Sequence, residues 1–140
     1  MFSQQDKAFM SKAYELAQEA YNYNEVPVGA IIVNNGKIIG RGRNNVITNN
    51  DVTSHAEINA IKDASKNIQN YRLVNCQMYV TLEPCHMCAK AIVDSRLKSV
   101  IFSTLEPKTG CIISIDNFLD ARHLNHRVEY QYGLMQKESS

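Results

Sequence analysis

The sequence predicts a layered α/β domain in which helices cover both faces of a central sheet. Three observations support this fold class: an amphipathic helical pattern at the start, an Asn-Gly turn between two apolar runs, and alternating helical and strand patterns afterwards. The chain has 140 residues, of which 44% are hydrophobic and 21% are charged. This length and composition are typical of one globular domain, so we expect residues 1–140 to form a single domain.

The first predicted elements are a helix and a hairpin. Residues 3–24 carry apolar side chains three and four positions apart, which predicts a helix with one buried face. These apolar residues are Phe9, Met10, Ala13, Leu16, Ala17 and Ala20. Val28–Val33 and Lys37–Gly42 are short apolar runs joined by the sequence Asn-Asn-Gly, and this turn sequence predicts a β-hairpin.

The middle of the chain predicts a helix, a strand and another helix. The second helix is expected from His55 to Asn67, with Thr53 or Ser54 as its N-terminal cap. The strand "QMYVTL" follows, and Pro84 ends it because proline has no N–H to donate to a sheet. A third helix is expected from Cys85 to Ser95.

The last part of the chain predicts two further strands. They are "SVIFST" at residues 99–104 and "RVEYQY" at residues 127–132, with a short helix, "SIDNFLDA", at residues 114–121 between them. Residues 133–140, "GLMQKESS", read as the start of a helix that stops after one or two turns. We therefore expect a short or truncated C-terminal helix.

Charge and hydropathy limit the class of protein. The net charge of +1 does not indicate a strongly basic nucleic-acid-binding protein, so any RNA-binding surface must be a local cluster. The chain shows no signal-peptide pattern and no apolar run of about 18 residues, so we expect a cytoplasmic protein without membrane contact. Thiols stay reduced in that compartment, which favours a metal-binding or redox role for closely spaced cysteines over disulfides.

The sequence "PCHMC" predicts part of a metal site. Cys85 and Cys88 lie three residues apart after Pro84, which favours the first turn of a helix, so both sulfur atoms face one side near the positive end of the helix dipole. This position stabilises thiolates, the form that binds metal, although a redox pair has the same spacing. His55 supplies an imidazole thirty residues earlier, and two sulfur atoms with one nitrogen suit Zn²⁺.

The number of ligands separates a structural zinc site from a catalytic one. Three protein ligands leave one position for water, whereas four close the site. The candidates for a fourth ligand are His86, Cys76, Cys111, His123 and His126. None of them has recognisable ligand spacing, so we favour an open, catalytic site. A bound water at such a site has a pKa near about 7, and Glu57, in the sequence "HAE", is the candidate to move its proton.

These residues carry a family resemblance. The pattern "HAE…PCHMC" is similar to the signature of zinc-dependent nucleobase and nucleoside deaminases. The segments "EVPVGAIIV", "GRGRNN", "YVTLEPCHMCAKAIVDSR", "KTGC" and "NHRVE" resemble, in order and spacing, those of bacterial tRNA-specific adenosine deaminases. The resemblance covers residues from about 8 to 133. It implies a three-layer α/β/α cytidine-deaminase-like fold with a central five-stranded mixed sheet.

The resemblance also implies the reaction and the roles of individual residues. The reaction is hydrolysis of adenosine to inosine at the wobble position of a tRNA anticodon, which makes the protein a hydrolase of C–N bonds in cyclic amidines. One Zn²⁺ per subunit binds His55, Cys85 and Cys88, and Glu57 is the proton shuttle. Further residues are implied to contact the substrate base. They are Asn44 as a hydrogen-bonding partner, Val28 and Ala56 in the pocket floor, and the backbone of Leu82 and Glu83 near the leaving amine.

The resemblance further implies the partners. Lys108 lies in "EPKTG", which matches an RNA-contacting segment of the family, and is expected to meet a phosphate. Three arginines are further candidates for contact with RNA: Arg72, Arg122 and Arg127. We expect a homodimer that acts on the anticodon stem-loop of a tRNA, with tRNA-Arg as the expected substrate.

Two alternatives remain open at this stage. A sister deaminase that acts on free guanine, cytosine or a nucleoside shares the same zinc residues. A domain with structural zinc that lends its fold to an active partner is the second alternative, and it is not an enzyme.

Overall fold

A five-stranded mixed sheet forms the centre of the structure, a computed structural model that describes residues 2–135. Its spatial order is β2-β1-β3-β4-β5, and β1 is antiparallel to both of its neighbours while β3, β4 and β5 are parallel. The strands are β1 Gly29–Asn34, β2 Lys37–Arg43, β3 Gln77–Leu82, β4 Ser99–Thr104 and β5 Glu129–Tyr132. The predicted α/β class with a five-stranded mixed sheet is therefore confirmed.

Three helices cover the two faces of this sheet. They are α1 Gln4–Asn22, α2 Ala56–Ile68 and α3 His86–Asp94. Successive side chains of a strand point to opposite faces, so the strand residues divide between two apolar clusters. Ile31 and Tyr79 pack with α1 on one face, whereas Ile32, Val80 and Phe102 belong to the cluster shared by α2 and α3 on the other. Burial on both faces explains why the central strands are almost continuously apolar.

The turn between β1 and β2 follows the Asn-Gly prediction. Asn34 pairs with Lys37, so only Asn35 and Gly36 form the loop of the hairpin. Their φ angles are 50° and 76°, as a tight hairpin turn with two left-handed residues requires. At the other end of β2, Gly42 allows α2 to approach closely, because a Cβ atom there would lie 2.3 Å from the Ala56 carbonyl oxygen. This close approach fixes the start of α2 against the sheet.

The predicted cap of α2 is wrong. The N-cap residue is His55, and its side chain makes no capping hydrogen bond because the ring faces two cysteine sulfurs. Ser54 is buried and its hydroxyl contacts Asn59 instead, while the Thr53 hydroxyl donates to Asp51. A residue that would normally cap the helix is thereby replaced by a candidate metal ligand.

Further boundaries differ from the predictions, including the start of the last strand, which is predicted at Arg127 but lies at Glu129. Pro84 lies outside the first turn of α3, since Cys85 is the N-cap and the helix begins at His86. The predicted short helix at residues 114–121 contains only a single 3₁₀ turn, Phe118–Asp120. Leu134 and Met135 lie in a turn, and the remainder of the predicted C-terminal helix, residues 136–140, lies outside the described residues.

Within residues 2–135, no helix combines the length and the apolar character needed to cross a bilayer.

Candidate metal and catalytic site

The N-termini of α2 and α3 bring three candidate metal ligands together. His55 is the N-cap of α2, Cys85 is the N-cap of α3, and Cys88 lies three residues further on. The Nδ1 atom of His55 lies 3.7 Å from the Cys85 sulfur and 3.4 Å from the Cys88 sulfur. All three ligand atoms lie within 4.8 Å of one another. The N-terminus of α2, which follows β2, and the N-terminus of α3, which follows β3, therefore meet at one point.

The chemistry of this donor set fits a zinc ion. The interaction between the Cys85 and Cys88 sulfurs lowers the pKa of Cys85 to about 3 and raises the pKa of Cys88. Both sulfurs lie at the N-terminus of α3, where the helix dipole favours thiolate. Two thiolates and one imidazole nitrogen are ligands that zinc prefers.

The candidates for a fourth ligand lie elsewhere or have other partners. His86 is exposed and its Nε2 atom lies 2.8 Å from Asp116 Oδ2, and His126 Nε2 lies 2.7 Å from the carbonyl oxygen of Leu97. Cys76 accepts a hydrogen bond from Asn34, and the rings of His123 and Phe118 pack together. Cys111 is buried but does not join the ligand group. Across residues 2–135, the group therefore contains three ligands and leaves one coordination position open.

Glu57 lies beside the three ligands in the first turn of α2. Only 4% of this residue is exposed, and burial raises the pKa of its carboxyl group to about 7. A carboxyl group with a pKa near neutrality can both accept and release a proton at physiological pH. The position and the burial of Glu57 therefore suit it to proton transfer at the metal site.

A cavity of about 380 Å³ opens above these residues. This volume lies within the range of small-molecule clefts in proteins. The lining residues come from the segment before β1, the end of β3, the loops that follow β2 and β4, and the N-termini of α2 and α3. They are Glu25, Val26, Val28, Asn44, Val46, Ile47, His55, Ala56, Glu57, Leu82, Glu83, Cys85, Glu106 and Thr109. Two of the three candidate ligands, His55 and Cys85, and Glu57 thus face a space that a planar base can enter.

The residues expected to contact the substrate mostly line this cavity. Val28 and Ala56 are buried in its lining, and Leu82 and Glu83 line it at the end of β3. Asn44 is 6% exposed, and its backbone N–H donates to the Val28 carbonyl oxygen. Its side chain makes no hydrogen bond to another residue within 2–135. That amide is therefore available to a ligand.

The cationic residues expected to meet RNA are placed differently. Lys108 is exposed and does not line the cavity, but it lies on the same loop as Glu106 and Thr109, and its backbone N–H donates to Glu106. Arg72 and Arg122 are exposed outside the cavity lining. Arg127 donates to the carbonyl oxygens of Leu119 and Ala121, so its guanidinium group stabilises the chain around the 3₁₀ turn.

The sequence analysis missed the role of the Glu83 side chain. It assigned only the backbone of Glu83 to the pocket, whereas the buried carboxylate accepts five hydrogen bonds from the loop after β4. The donors are the backbone N–H groups of Glu106, Ile112, Ile113 and Ser114 and the hydroxyl of Ser114. Burial alone would raise the pKa of Glu83, but these hydrogen bonds outweigh it and lower the pKa.

Glu25 is a second residue that the sequence analysis missed. It is 4% exposed, lines the cavity, and accepts hydrogen bonds from the loop after β2. The available signal was weak: a single acidic residue directly before the apolar segment "VPVGAIIV". Its partners lie more than twenty residues away, so no local pattern identifies them.

Comparison with known proteins gives three findings. The family model described as "Cytidine and deoxycytidylate deaminase zinc-binding region" matches residues 3–104. A tRNA-specific adenosine deaminase of Haemophilus influenzae is 47% identical over 139 residues, which is 99% of this chain and 80% of that protein. A solved structure from a study of A-to-I editing by tRNA:A34 deaminases at the wobble position superimposes with a TM-score of 0.91 and 38% identity, covering 94% of this chain and 96% of that chain.

Another similar solved structure is that of an enzyme named for a different substrate. The guanine deaminase of Bacillus subtilis is 34% identical to this chain and superimposes with a TM-score of 0.71, covering 99% of this chain and 90% of that chain. The same fold and a related sequence therefore occur in a protein named for a free base.

Proposed function

Because the chain belongs to the zinc-dependent cytidine and deoxycytidylate deaminase family, and within it to the tRNA-specific adenosine deaminases, we infer that it hydrolyses adenosine to inosine at the wobble position of a tRNA anticodon. The single structural observation that carries the deamination is the group of three metal ligands beside a buried carboxylate at the bottom of one cavity, and the likeness to tRNA-specific adenosine deaminases carries the substrate. The protein is thus a zinc-dependent hydrolase whose substrate is tRNA.

The proposed chemistry divides between the metal and Glu57. His55, Cys85 and Cys88 would hold a zinc ion, and that ion would supply a nucleophile at neutral pH by lowering the pKa of a bound water to about 7. The Glu57 carboxylate accepts a proton from the attacking water and delivers it to a purine ring nitrogen, which makes C6 electrophilic. Once the C6–O bond has formed, Glu57 takes the second proton from that oxygen and delivers it to the amino nitrogen. The C6–N bond then breaks, ammonia leaves, and the oxygen stays on C6 as the carbonyl oxygen of inosine.

The remaining cavity residues are proposed to hold the base. The free amide of Asn44 hydrogen-bonds to the purine, while Val28 and Ala56 give the floor an apolar surface. The backbone at Leu82 and Glu83 borders the site of the leaving amine. Since the target base must leave its stack to enter the cavity, the anticodon loop has to lie across the mouth. Lys108 on the exposed loop after β4 is proposed to meet a phosphate there.

Several finer features are part of the proposal. Residues 1–140 are proposed to form one deaminase domain, and the two apolar clusters on either face of a single sheet support this. We also propose that the protein forms a homodimer with one zinc ion per subunit, acts on tRNA-Arg, and works in the cytoplasm. Sedimentation velocity and zinc analysis test the first two of these properties.

Sequencing of tRNA after incubation with the enzyme tests the proposed function. Inosine pairs as guanosine, so tRNA-Arg treated with wild-type protein should read as guanosine at the wobble position, and untreated tRNA as adenosine. A panel of other adenosine-containing anticodon stem-loops defines which tRNAs are accepted. Unchanged adenosine in every tRNA, with zinc bound at one ion per chain, would contradict the proposal.

Guanine deamination is the second candidate, because the guanine deaminase named above is 34% identical to this chain. Ammonia release from free guanine, cytosine and cytidine, measured beside release from an anticodon stem-loop, separates the two activities. Activity on the free base alone would favour the sister function. The alternative of a purely structural zinc domain predicts four protein ligands, and three converge within residues 2–135.

A further inference from the structure

Glu25 joins two segments of the cavity wall that are distant in sequence. It lies between the end of α1 and the start of β1, and its carboxylate meets the loop after β2. Its Oε1 atom accepts a hydrogen bond of 3.1 Å from the Ile47 N–H. Its Oε2 atom accepts hydrogen bonds of 2.6 Å from the Thr48 N–H and 2.7 Å from the Thr48 hydroxyl. One buried carboxylate thus satisfies three donors of the same loop.

The loop that Glu25 contacts, residues 44–54, begins with Asn44 and ends one residue before His55. Its base is closed by a hydrogen bond of 2.9 Å from the Asn45 N–H to the Ser54 carbonyl oxygen. The Asn59 side chain also ties this base to the carbonyl oxygen of Arg43 at 2.9 Å. The far side of the loop has a different attachment. Ile47 lines the cavity while 67% of it is exposed. Hydrogen bonds from the Asp51 N–H to the Val46 carbonyl oxygen and from the Asn50 N–H to the Ile47 carbonyl oxygen hold this segment within the loop, and the contact with Glu25 attaches it to the segment before β1.

We propose that Glu25 is a positioning residue that holds the 44–54 loop as one wall of the cavity and thereby sets where the substrate base lies relative to Glu57. This inference rests on the proposed function, since it concerns the binding of the base in that reaction. Val46 and Ile47 supply the apolar surface of this wall, and Asn44 supplies its amide. Without the carboxylate, the base of the loop stays closed, but the wall can move away from the cavity.

The charge of Glu25 supports this role. Burial alone would raise its pKa, but hydrogen bonds from Thr48 and Ile47 and the nearby Arg43 guanidinium lower it. The carboxylate is therefore ionised at neutral pH and can only accept hydrogen bonds, which matches three donors. A glutamine has one accepting oxygen and places an NH₂ group against a donor. The isosteric change Glu25→Gln therefore breaks the contact without leaving a cavity.

The test compares Glu25→Gln with a matched control in the same loop. Asp51→Asn is also a change from carboxylate to amide, but within residues 2–135 the Asp51 carboxylate accepts hydrogen bonds only from Thr53, and Asp51 does not line the cavity. Asparagine forms the same local turn, so this variant should behave as the wild type. Both variants are assayed with an anticodon stem-loop for kcat and KM separately. Amide hydrogen exchange is measured at Ile47 and Thr48.

For Glu25→Gln, we expect KM to rise about tenfold with kcat within about twofold of the wild type, because the lost contact is worth one or two charged hydrogen bonds. Exchange at Ile47 and Thr48 should accelerate by about tenfold or more. Thr48→Val removes one donor and should give a smaller rise in KM. Thr48→Ser keeps the hydroxyl and should have the same KM and exchange rates as the wild type. A residue important only for folding would lower the active fraction and leave KM unchanged.

Three outcomes overturn the proposal: unchanged KM, unchanged exchange at the two amides, or an equal effect of Asp51→Asn. The wild-type rate on the stem-loop tests the proposed function alone, whereas the ratio of variant to wild type tests the role of Glu25. The two failures are therefore distinguishable.

Discussion

The cavity has a floor, which contains Glu57 and the metal ligands beside Ala56, and walls, which are the loops after β2 and β4 with the residues that hold them. Buried glutamates occur in both regions, but their surroundings differ. Glu57 on the floor has a pKa raised to about 7, because burial dominates. Glu25 and Glu83 in the walls are equally buried, yet hydrogen bonds from the loops lower their pKa values. The same residue type is therefore fitted for proton transfer on the floor and for holding a loop in the walls. The number of donors aimed at each carboxylate decides between the two roles.

Among the changes to the floor, loss of a metal ligand should cause the largest loss of activity. Cys88→Ala removes one of three ligands, so we expect less than one zinc ion per chain and activity at background. Metal analysis and the stem-loop assay measure this. The matched control is Cys76→Ala, which removes another buried cysteine that lies outside the ligand group. Retained zinc and activity in Cys88→Ala would refute the assignment of this ligand.

Replacing the floor carboxylate should give the next largest effect. Glu57→Gln keeps the shape of the side chain but removes the group that moves protons, so kcat should fall by roughly 10²- to 10⁴-fold. Zinc should stay at one ion per chain, since Glu57 is not among the three converging ligands. Glu129→Gln, on exposed β5, serves as the control and should leave both quantities unchanged. Normal turnover by Glu57→Gln would show that another group carries the proton.

The same change from glutamate to glutamine in a wall should affect stability and KM instead of kcat. Glu83→Gln keeps one accepting oxygen for a loop that presents five donors. We expect a loss of stability of about 2 kcal/mol and a higher KM, with zinc retained. Urea unfolding and the stem-loop assay give the two values. If Glu83→Gln lowered kcat as strongly as Glu57→Gln while stability stayed unchanged, the distinction between floor and walls would fail.

The sequence predicted the fold well because the fold depends on local patterns. Alternation and helical spacing identified the helices and all five strands, and Asn35-Gly36 identified the hairpin. The spacing of Cys85 and Cys88, together with the preceding "HAE" sequence, singled out the residues that the structure brings together. The fold signals are local in sequence. The site signal rests on a combination of histidine, glutamate and two closely spaced cysteines that is rare outside metal sites.

The features that sequence analysis missed depend on contacts between distant residues. Ser54 has the residue type of a helix cap, but its hydroxyl contacts Asn59 and His55 takes the cap position. The partners of Glu25 lie 22 and 23 residues away, and those of Glu83 lie 23 to 31 residues away. An isolated acidic residue gives no sign of which donors the folded chain will present. The walls could therefore be found only from the structure.

The smallest predicted effect concerns how a wall responds to acid. Because the folded protein lowers the pKa of Glu25 below its ordinary value of 4.5, its ionised form contributes stability above about pH 4.5. This contribution is lost as the pH falls through the lower folded value, where the protonated carboxyl resembles the amide of glutamine. The difference in unfolding free energy between wild type and Glu25→Gln should therefore be largest near neutral pH and shrink towards zero in acid. Urea unfolding across this range measures it. A difference that stays constant with pH would mean that the charge of Glu25 does not hold the loop. The shape of the side chain, and not its ionisation, would then distinguish the walls from the floor.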